Sequence, residues 1–524
     1  MAQPESTAVE APPQTIWGIL RRLGPGLIIA GSIVGSGELI ATTKTGAQAG
    51  FWLLWLIVIG CVIKLFAQIE FGRYAISSGK STMVAMNEVP GPRLRVNWLL
   101  WYWLVMFLVS LAQLGGIVGG VGQSLAMSMP LTGDFNRLLD EQDAWDQVAA
   151  SLRAESMPVQ AAALQSSPPS RREAALARID RQIQDRLGRP RPNWSTNDDV
   201  YWAAIITLLT VVLLVNGRYG LVQNVSTFLV VSFTLVTVIN LLALQTEPRW
   251  AIGWGDLRDG MSFRLPPVVQ GLTLSPLATA LATFGIIGVG ANELIQYPYW
   301  CLEKGYARFT GPRDDTPEWV ERAQGWMRVM RWDACVSMVV FTFATVAFYL
   351  LGAAVLHREG LDPDGNQMIH SLGQMYVPVF GAWAKWLFLF GAFAVLYSTF
   401  FVANAGHARV ATDALRVFRV GSRTERARLG WIKVFCVLFP VSNLVIFVFI
   451  RAPVELILAS GVMQAIMLPM LGGATLYFRY CRSDPRIAPG RLWDVLLWIS
   501  FFGLLLAGGW TALIQMFPAL GRLG

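Results

Sequence analysis

Charge is scarce in this chain: 15% of its 524 residues are Asp, Glu, Lys or Arg, while 54% are hydrophobic. That balance, with a positive mean hydropathy, excludes a water-soluble globular protein of this length and points to an all-α polytopic membrane protein. Cysteine is sparse too. Cys61, Cys301, Cys335, Cys436 and Cys481 are scattered singly with no CxxC spacing, which excludes a disulfide frame and a zinc site and leaves packing. Of the three histidines, His357 and His370 fall in one outer loop, and His407 lies near the inner end of a span beside Arg409. His407 therefore reads as a structural residue at headgroup level. A membrane-embedded enzyme needs His, Asp or Ser groups converging at one depth, so no enzymatic activity and no resident cofactor are expected. Residues Met1 to Thr15 contain no charged-then-apolar stretch, and no cleavable signal peptide is expected.

A ruler of about 20 apolar residues per span finds eleven candidates, near 24–44, 52–77, 97–128, 199–216, 221–245, 271–301, 332–356, 382–407, 430–450, 453–478 and 493–517. The formal charge of +8 would suggest a nucleic-acid partner in a soluble domain. Here the basic residues lie between the spans, and their meaning is topological. Alternate loops hold Arg73, Lys80, Arg93, Arg95, Lys304, Arg308, Arg313, Arg416, Arg419, Arg426 and Arg428. The positive-inside rule thus predicts a cytoplasmic N-terminus and an extracytoplasmic C-terminus in a plasma (inner) membrane. The expected divisions are a tail (1–20), spans 1–3 (21–129), an extracytoplasmic insertion (130–198) and spans 4–11 (199–524). Within the insertion, 138–152 and 171–187 have apolar residues near helical spacing, which predicts a small helical hairpin. It is either a tolerated insertion or a docking site for an unknown partner. The chain is expected to act as a monomer.

Two spans carry nearly the same unusual string, Gly35-Ser36-Gly37-Glu38-Leu39-Ile40 and Gly288-Val289-Gly290-Ala291-Asn292-Glu293-Leu294-Ile295. Each sets a carboxylate beside helix-breaking glycines inside an apolar segment, at a cost of ~2.5–3.5 kcal/mol per charge on insertion scales. Spans 1–5 and 6–10 each begin with such a string. An odd number of spans per unit inverts the second unit in the membrane, which is the arithmetic of a LeuT-type inverted repeat with broken helices 1 and 6. Unwound backbone frees carbonyl oxygens that can face a cation. The candidate metal ligands are accordingly Glu38, Glu293 and Asn292, with the backbone of Gly35, Ser36, Gly37, Gly290 and Ala291. Tyr397, Asn404 and Gln464 are candidates to complete the pocket through water.

Gly24-Pro25-Gly26, then Gly35-Ser36-Gly37-Glu38, Ala41-Thr42 and Gly46-Ala47, together resemble the first helix of the Nramp metal-ion transporters, where Gly-Pro-Gly precedes an Asp-Pro-Gly-Asn motif. Gly285-Ile286-Ile287-Gly288 is similar to the start of their sixth helix. The resemblance spans the membrane core and omits the 130–198 insertion. Where those proteins carry Asp this chain has Gly35, and where they carry Asn it has Glu38. Their Met-Pro-His becomes Asn292-Glu293-Leu294, and their second histidine becomes Tyr299.

Loss of the soft thioether leaves oxygen donors, which suit magnesium better than transition metals. The chain is most similar to the Nramp-related magnesium transporters. That resemblance implies import of magnesium, with manganese tolerated, through a wide pocket that accepts a largely hydrated ion. The third span, Asn97 to Ser128, contains no Asp, Glu or His, so uncoupled, voltage-driven passage by alternating access is expected. Two alternatives stay open: a proton-coupled transition-metal transporter of the Nramp type, and a sodium-coupled symporter of an organic solute such as an amino acid on the same scaffold.

Overall fold

The computed structural model describes residues 9–145, 147–148, 181, 183–188, 196–216, 219–266, 275–420 and 424–517. Among them eleven helices are long and apolar enough to cross a membrane. They are α1 (Pro25–Ala49), α2 (Leu54–Ser78), α3 (Trp98–Ser128), α4 (Asp198–Asn216), α5 (Tyr219–Ala243), α6 (Pro276–Lys304), α7 (Pro317–Glu359), α8 (Ala384–Val417), α9 (Glu425–Phe449), α10 (Pro453–Arg482) and α11 (Arg491–Met516). All eleven spans read from the sequence are present. α7 starts well before the expected 332, because Thr316 caps a charged, amphipathic extension by accepting the Trp319 N–H at 3.3 Å. Hydropathy does not register such a segment.

Packing repeats when spans 1–5 are exchanged for 6–10. α1 packs on α7 as α6 does on α2, and α1 on α5 as α6 on α10. Likewise α3 packs on α10 as α8 does on α5, and α3 on α4 as α8 on α9. This is the inverted repeat expressed as contacts. α1 and α6 lie at its centre, enclosed by the others, while α5, α9 and α11 turn much of their apolar surface outward.

Both central helices are broken. α1a (Pro25–Ile33) stops before an extended Gly35, after which Ser36–Thr42 continues in wide turns and α1b (Thr43–Ala49) in regular helix. α6a (Pro276–Ile286) and α6b (Ala291–Lys304) are separated by a stretch in which Gly288 has φ +56°, a left-handed conformation that favours glycine. Close approach also matters here. A side chain on Gly285 would overlap the Gly461 carbonyl of α10, and one on Gly461 would overlap that of Ala282. α6a therefore lies backbone to backbone on α10, as small residues permit in membranes.

Both predicted arms of the 130–198 hairpin are represented by helical residues, 134–145 and 183–187. Trp145 and Ile183 bury against each other with Val148 and Leu187 beside them. Residues 146, 149–152, 171–180 and 182 of the two predicted arms lie outside the described residues. At the base of the insertion two carboxylates cap in exchange. Asp198 accepts the Thr132 and Gly133 N–H groups at 2.7 and 2.9 Å, while Asp134 accepts those of Asn197 and Asp198 at 2.7 and 3.2 Å.

Candidate functional site

The helix breaks bring both signature carboxylates to the centre of the molecule and give them different work. Glu38 is fully buried. One of its oxygens accepts the Thr345 hydroxyl of α7 at 3.1 Å and the Gly288 N–H of the α6 break at 3.3 Å; the other accepts Gly35 N–H at 3.4 Å. It thus ties the α1 break to the α6 break. Glu293, in the first turn of α6b, reaches the opposite way and accepts the Ser32 hydroxyl of α1a at 3.0 Å. The exchange mirrors the repeat.

Glu293 faces a small cavity of about 20 Å³ with Ser32, Ser36, Gly37, Ser110, Gln113, Asn292, Thr399, His407 and Gln464 among its walls. Glu38 does not line it. The cavity is polar and ordered by amides. Asn292 donates from its side chain to Ser110 at 2.8 Å and from its backbone to Gln464 at 3.2 Å. Gln464 in turn donates to Gln113 at 3.2 Å, and Gln113 to Ser36 at 3.2 Å.

Of the predicted ligand set, Glu293, Asn292, Ser36 and Gly37 line the cavity, and so does Gln464, one of the three candidates to complete the pocket. The others sit elsewhere. Gly35 packs against Thr399, and Gly290 fits beside the Glu293 carboxylate and the Gln464 amide, where a side chain would collide. Ala291 is buried at the start of α6b. Tyr397 stacks on Phe393 at 5.6 Å, and Asn404 donates to Phe400 O at 2.7 Å and accepts from Asn443 at 3.0 Å, gluing α8 to α9. The expected wide pocket is not present in this conformation: 20 Å³ holds about one water. Tight amide-to-amide bonding draws the walls together.

Three functional positions escaped the sequence reading. Lys64 of α2 is fully buried, and its ammonium donates to Ile287 O at 2.8 Å and to Phe284 O, both freed at the α6 break. A lone Lys inside the 25-residue apolar α2 was the available signal. His407 is no headgroup anchor. It is buried on the cavity wall, edge-on to Phe107 at 5.0 Å, with its Nδ1 lacking a partner among the described residues. Asp333 is the third such position. It is buried on α7 and accepts the Gly24 and Gly26 N–H groups at 2.8 and 2.5 Å, capping α1a, and it also holds the Tyr297 hydroxyl at 3.2 Å. Glu70 and Arg73 of α2 form a buried ion pair at 3.1 Å.

A bonded polar cluster lies to either side of the site. On the side where α1b ends, buried Lys44 bridges to Asp362 at 2.7 Å and Asp364 at 3.5 Å, and Gln48 adds a bond to Asp362 at 3.0 Å. On the opposite side Asp413 of α8 accepts the Tyr299 hydroxyl at 3.0 Å and that of Ser81. Beyond this latch lies an open vestibule of about 1090 Å³, walled by Lys80, Glu303, Arg308, Arg416 and Arg428 among others.

Comparison with known proteins places this architecture. An uncharacterized protein of Pasteurella multocida is 21% identical over 495 residues, covering 94% of this chain and 91% of the relative. A stretch of 115 residues, 22% of this chain and 26% of the relative, is 30% identical to the divalent metal cation transporter MntH of Caldanaerobacter subterraneus. Among solved structures, a manganese transporter of Eremococcus coleocola superposes with a TM-score of 0.63 at 16% identity, covering 96% of this chain and 88% of that one. Mhp1, a nucleobase-cation-symport-1 family transporter, superposes at 0.52 with 14% identity, covering 98% and 95%. Such identities speak to the LeuT-type fold. The family model described as natural resistance-associated macrophage protein-like matches residues 196–513, more than half of the sequence, and the chain therefore belongs to the Nramp family.

Proposed function

We propose that this chain carries a divalent cation across the plasma membrane by alternating access, with Glu293, Asn292 and the hydroxyl and amide oxygens of Ser32, Ser36, Gln113 and Gln464 as its ligands. The observation that carries this reading is Glu293, one carboxylate facing a cavity otherwise walled largely by neutral polar groups. Membership of the family supports the cargo class, as do relatives named as divalent metal cation transporters and a fold shared with a manganese transporter. Oxygen-rich ligation favours magnesium, with manganese accepted. A cavity of about 20 Å³ requires the ion to shed most of its water as the site closes, or to be held hydrated only while the site is open. An inside-negative potential supplies ~2.3 kcal/mol per charge per 100 mV, so a divalent ion needs no coupled partner.

His407 favours a second reading. A free imidazole nitrogen on the cavity wall suits a transition metal or a proton relay. Uptake of magnesium and of manganese into proteoliposomes with an internal pH reporter separates the two. Magnesium uptake without acidification, lost in Glu293→Gln and kept in His407→Ala, is the expected result. Manganese-only uptake with acidification that disappears in His407→Ala establishes the proton-coupled reading. Absence of any metal flux overturns both.

A further inference from the structure

We propose that Lys64 is a tethered monovalent cation: its ammonium fills a cation position created by the α6 break, so the protein is held together without a bound sodium or potassium ion. The proposal stands on the geometry of the break and does not depend on which substrate is carried.

In an unbroken helix the Phe284 carbonyl would receive the Gly288 N–H, four residues on. Here Gly288 turns into the left-handed region and gives that N–H to Glu38. Ile287, the residue just after α6a, likewise leaves its carbonyl without a helical donor. Two inward carbonyl oxygens are thereby set beside a buried carboxylate at membrane depth. Unwound carbonyls with a nearby acid are the groups with which broken-helix transporters hold small cations.

Lys64 brings its charge to that place. It enters from α2, donates to both carbonyls and lies 4.4 Å from the centre of the Phe284 ring, a further cation-attracting surface. Its side chain is 0% exposed. The charged or titratable groups acting on it are Cys61, Glu293 and Glu38. An isolated buried ammonium is costly. The carbonyls, with the carboxylates nearby, offset part of that cost, as they would for a free ion.

Removing the tether empties the position. Purified wild-type protein, Lys64→Ala and Lys64→Gln are to be melted in detergent in sodium, potassium and N-methylglucamine chlorides at equal ionic strength. Wild type is expected to melt at one temperature in all three salts. Lys64→Ala is expected to melt several degrees lower in N-methylglucamine and to recover at least half of that loss in sodium or potassium. Lys64→Gln, which keeps N–H donors for the carbonyls and loses the charge, is expected to follow the same salt order. Salt-independent melting of both variants overturns the proposal, and so does sodium- or potassium-dependence of the wild type. Failure to recover either variant in any of the three salts makes Lys64 a structural residue and also overturns it. Because melting needs no substrate, this outcome is separate from that of the uptake experiments.

Discussion

At the residue scale, Glu38 and Glu293 show how one motif can serve two ends. Glu38 accepts three hydrogen bonds and does not line this cavity, while Glu293 accepts one from Ser32 and faces it. Glu38→Ala strands the Gly35 and Gly288 N–H groups in a buried place, at about 1–3 kcal/mol for each donor left unpaired, while the Thr345 hydroxyl keeps Phe341 O as an acceptor at 2.7 Å. We expect it to lower the melting temperature of the purified protein more than Glu293→Ala does, although both reduce uptake. Equal melting of the two variants would refute the assignment of Glu38 as a strap. Asp333 belongs to the same class. It caps the first turn of α1a from across the bundle, and such a cap contributes about 0.5–2 kcal/mol.

At the element scale, α1b is fixed to the segment after α7 by Lys44, whose own side chain is buried while Asp362 and Asp364 stay partly open to solvent. Lys44→Met removes both ion pairs and should shift the population toward an opening on that side. A cysteine placed at Ser36, at the cavity wall, should then react several-fold faster with a membrane-impermeant thiol reagent added outside. An unchanged rate would mean that this cluster is no gate.

The base of the insertion responds to acid. Burial works against the Asp134 carboxylate, but the N–H groups of Asn197 and Asp198 and the Thr132 hydroxyl prevail and hold it below its ordinary value of 3.8. A depressed folded value means that the clasp contributes fully above the ordinary Asp range and loses that contribution as pH falls through the folded value. Amide exchange at Asn197 and Asp198, corrected for its intrinsic pH dependence, should be protected near neutrality and lose protection only below about pH 3.8. Loss of protection nearer pH 6 would contradict this.

At the scale of the whole molecule, an odd number of spans predicts termini on opposite sides, and the basic loops predict the N-terminus in the cytoplasm. A reporter active only outside the cytoplasm should therefore work when fused after Gly524 and fail when fused before Met1. The reverse pattern would overturn the orientation. Spans, breaks and the repeat were legible because hydrophobic length, paired glycines and an odd span count are local or arithmetic properties of a chain in a bilayer. Glu38 and Glu293 were likewise visible as intramembrane acids. Their division of labour was not, since the Glu38 partners come from helices that meet it only after folding, Thr345 lying 307 residues away in sequence. Lys64 was a readable signal whose meaning depended on carbonyls of α6, more than 200 residues away. His407 was placed at a headgroup by its neighbour Arg409 and is turned instead onto the cavity wall by the rotation of α8. Cavity size, too, was decided by the closeness of amides from α3, α6 and α10. The sequence by itself determined what crosses the membrane and where the helices must break, because backbone in lipid has to satisfy its own hydrogen bonds. Only the tertiary structure decided which charged group faces the cavity and which holds the breaks together, because that choice depends on partners contributed by distant helices.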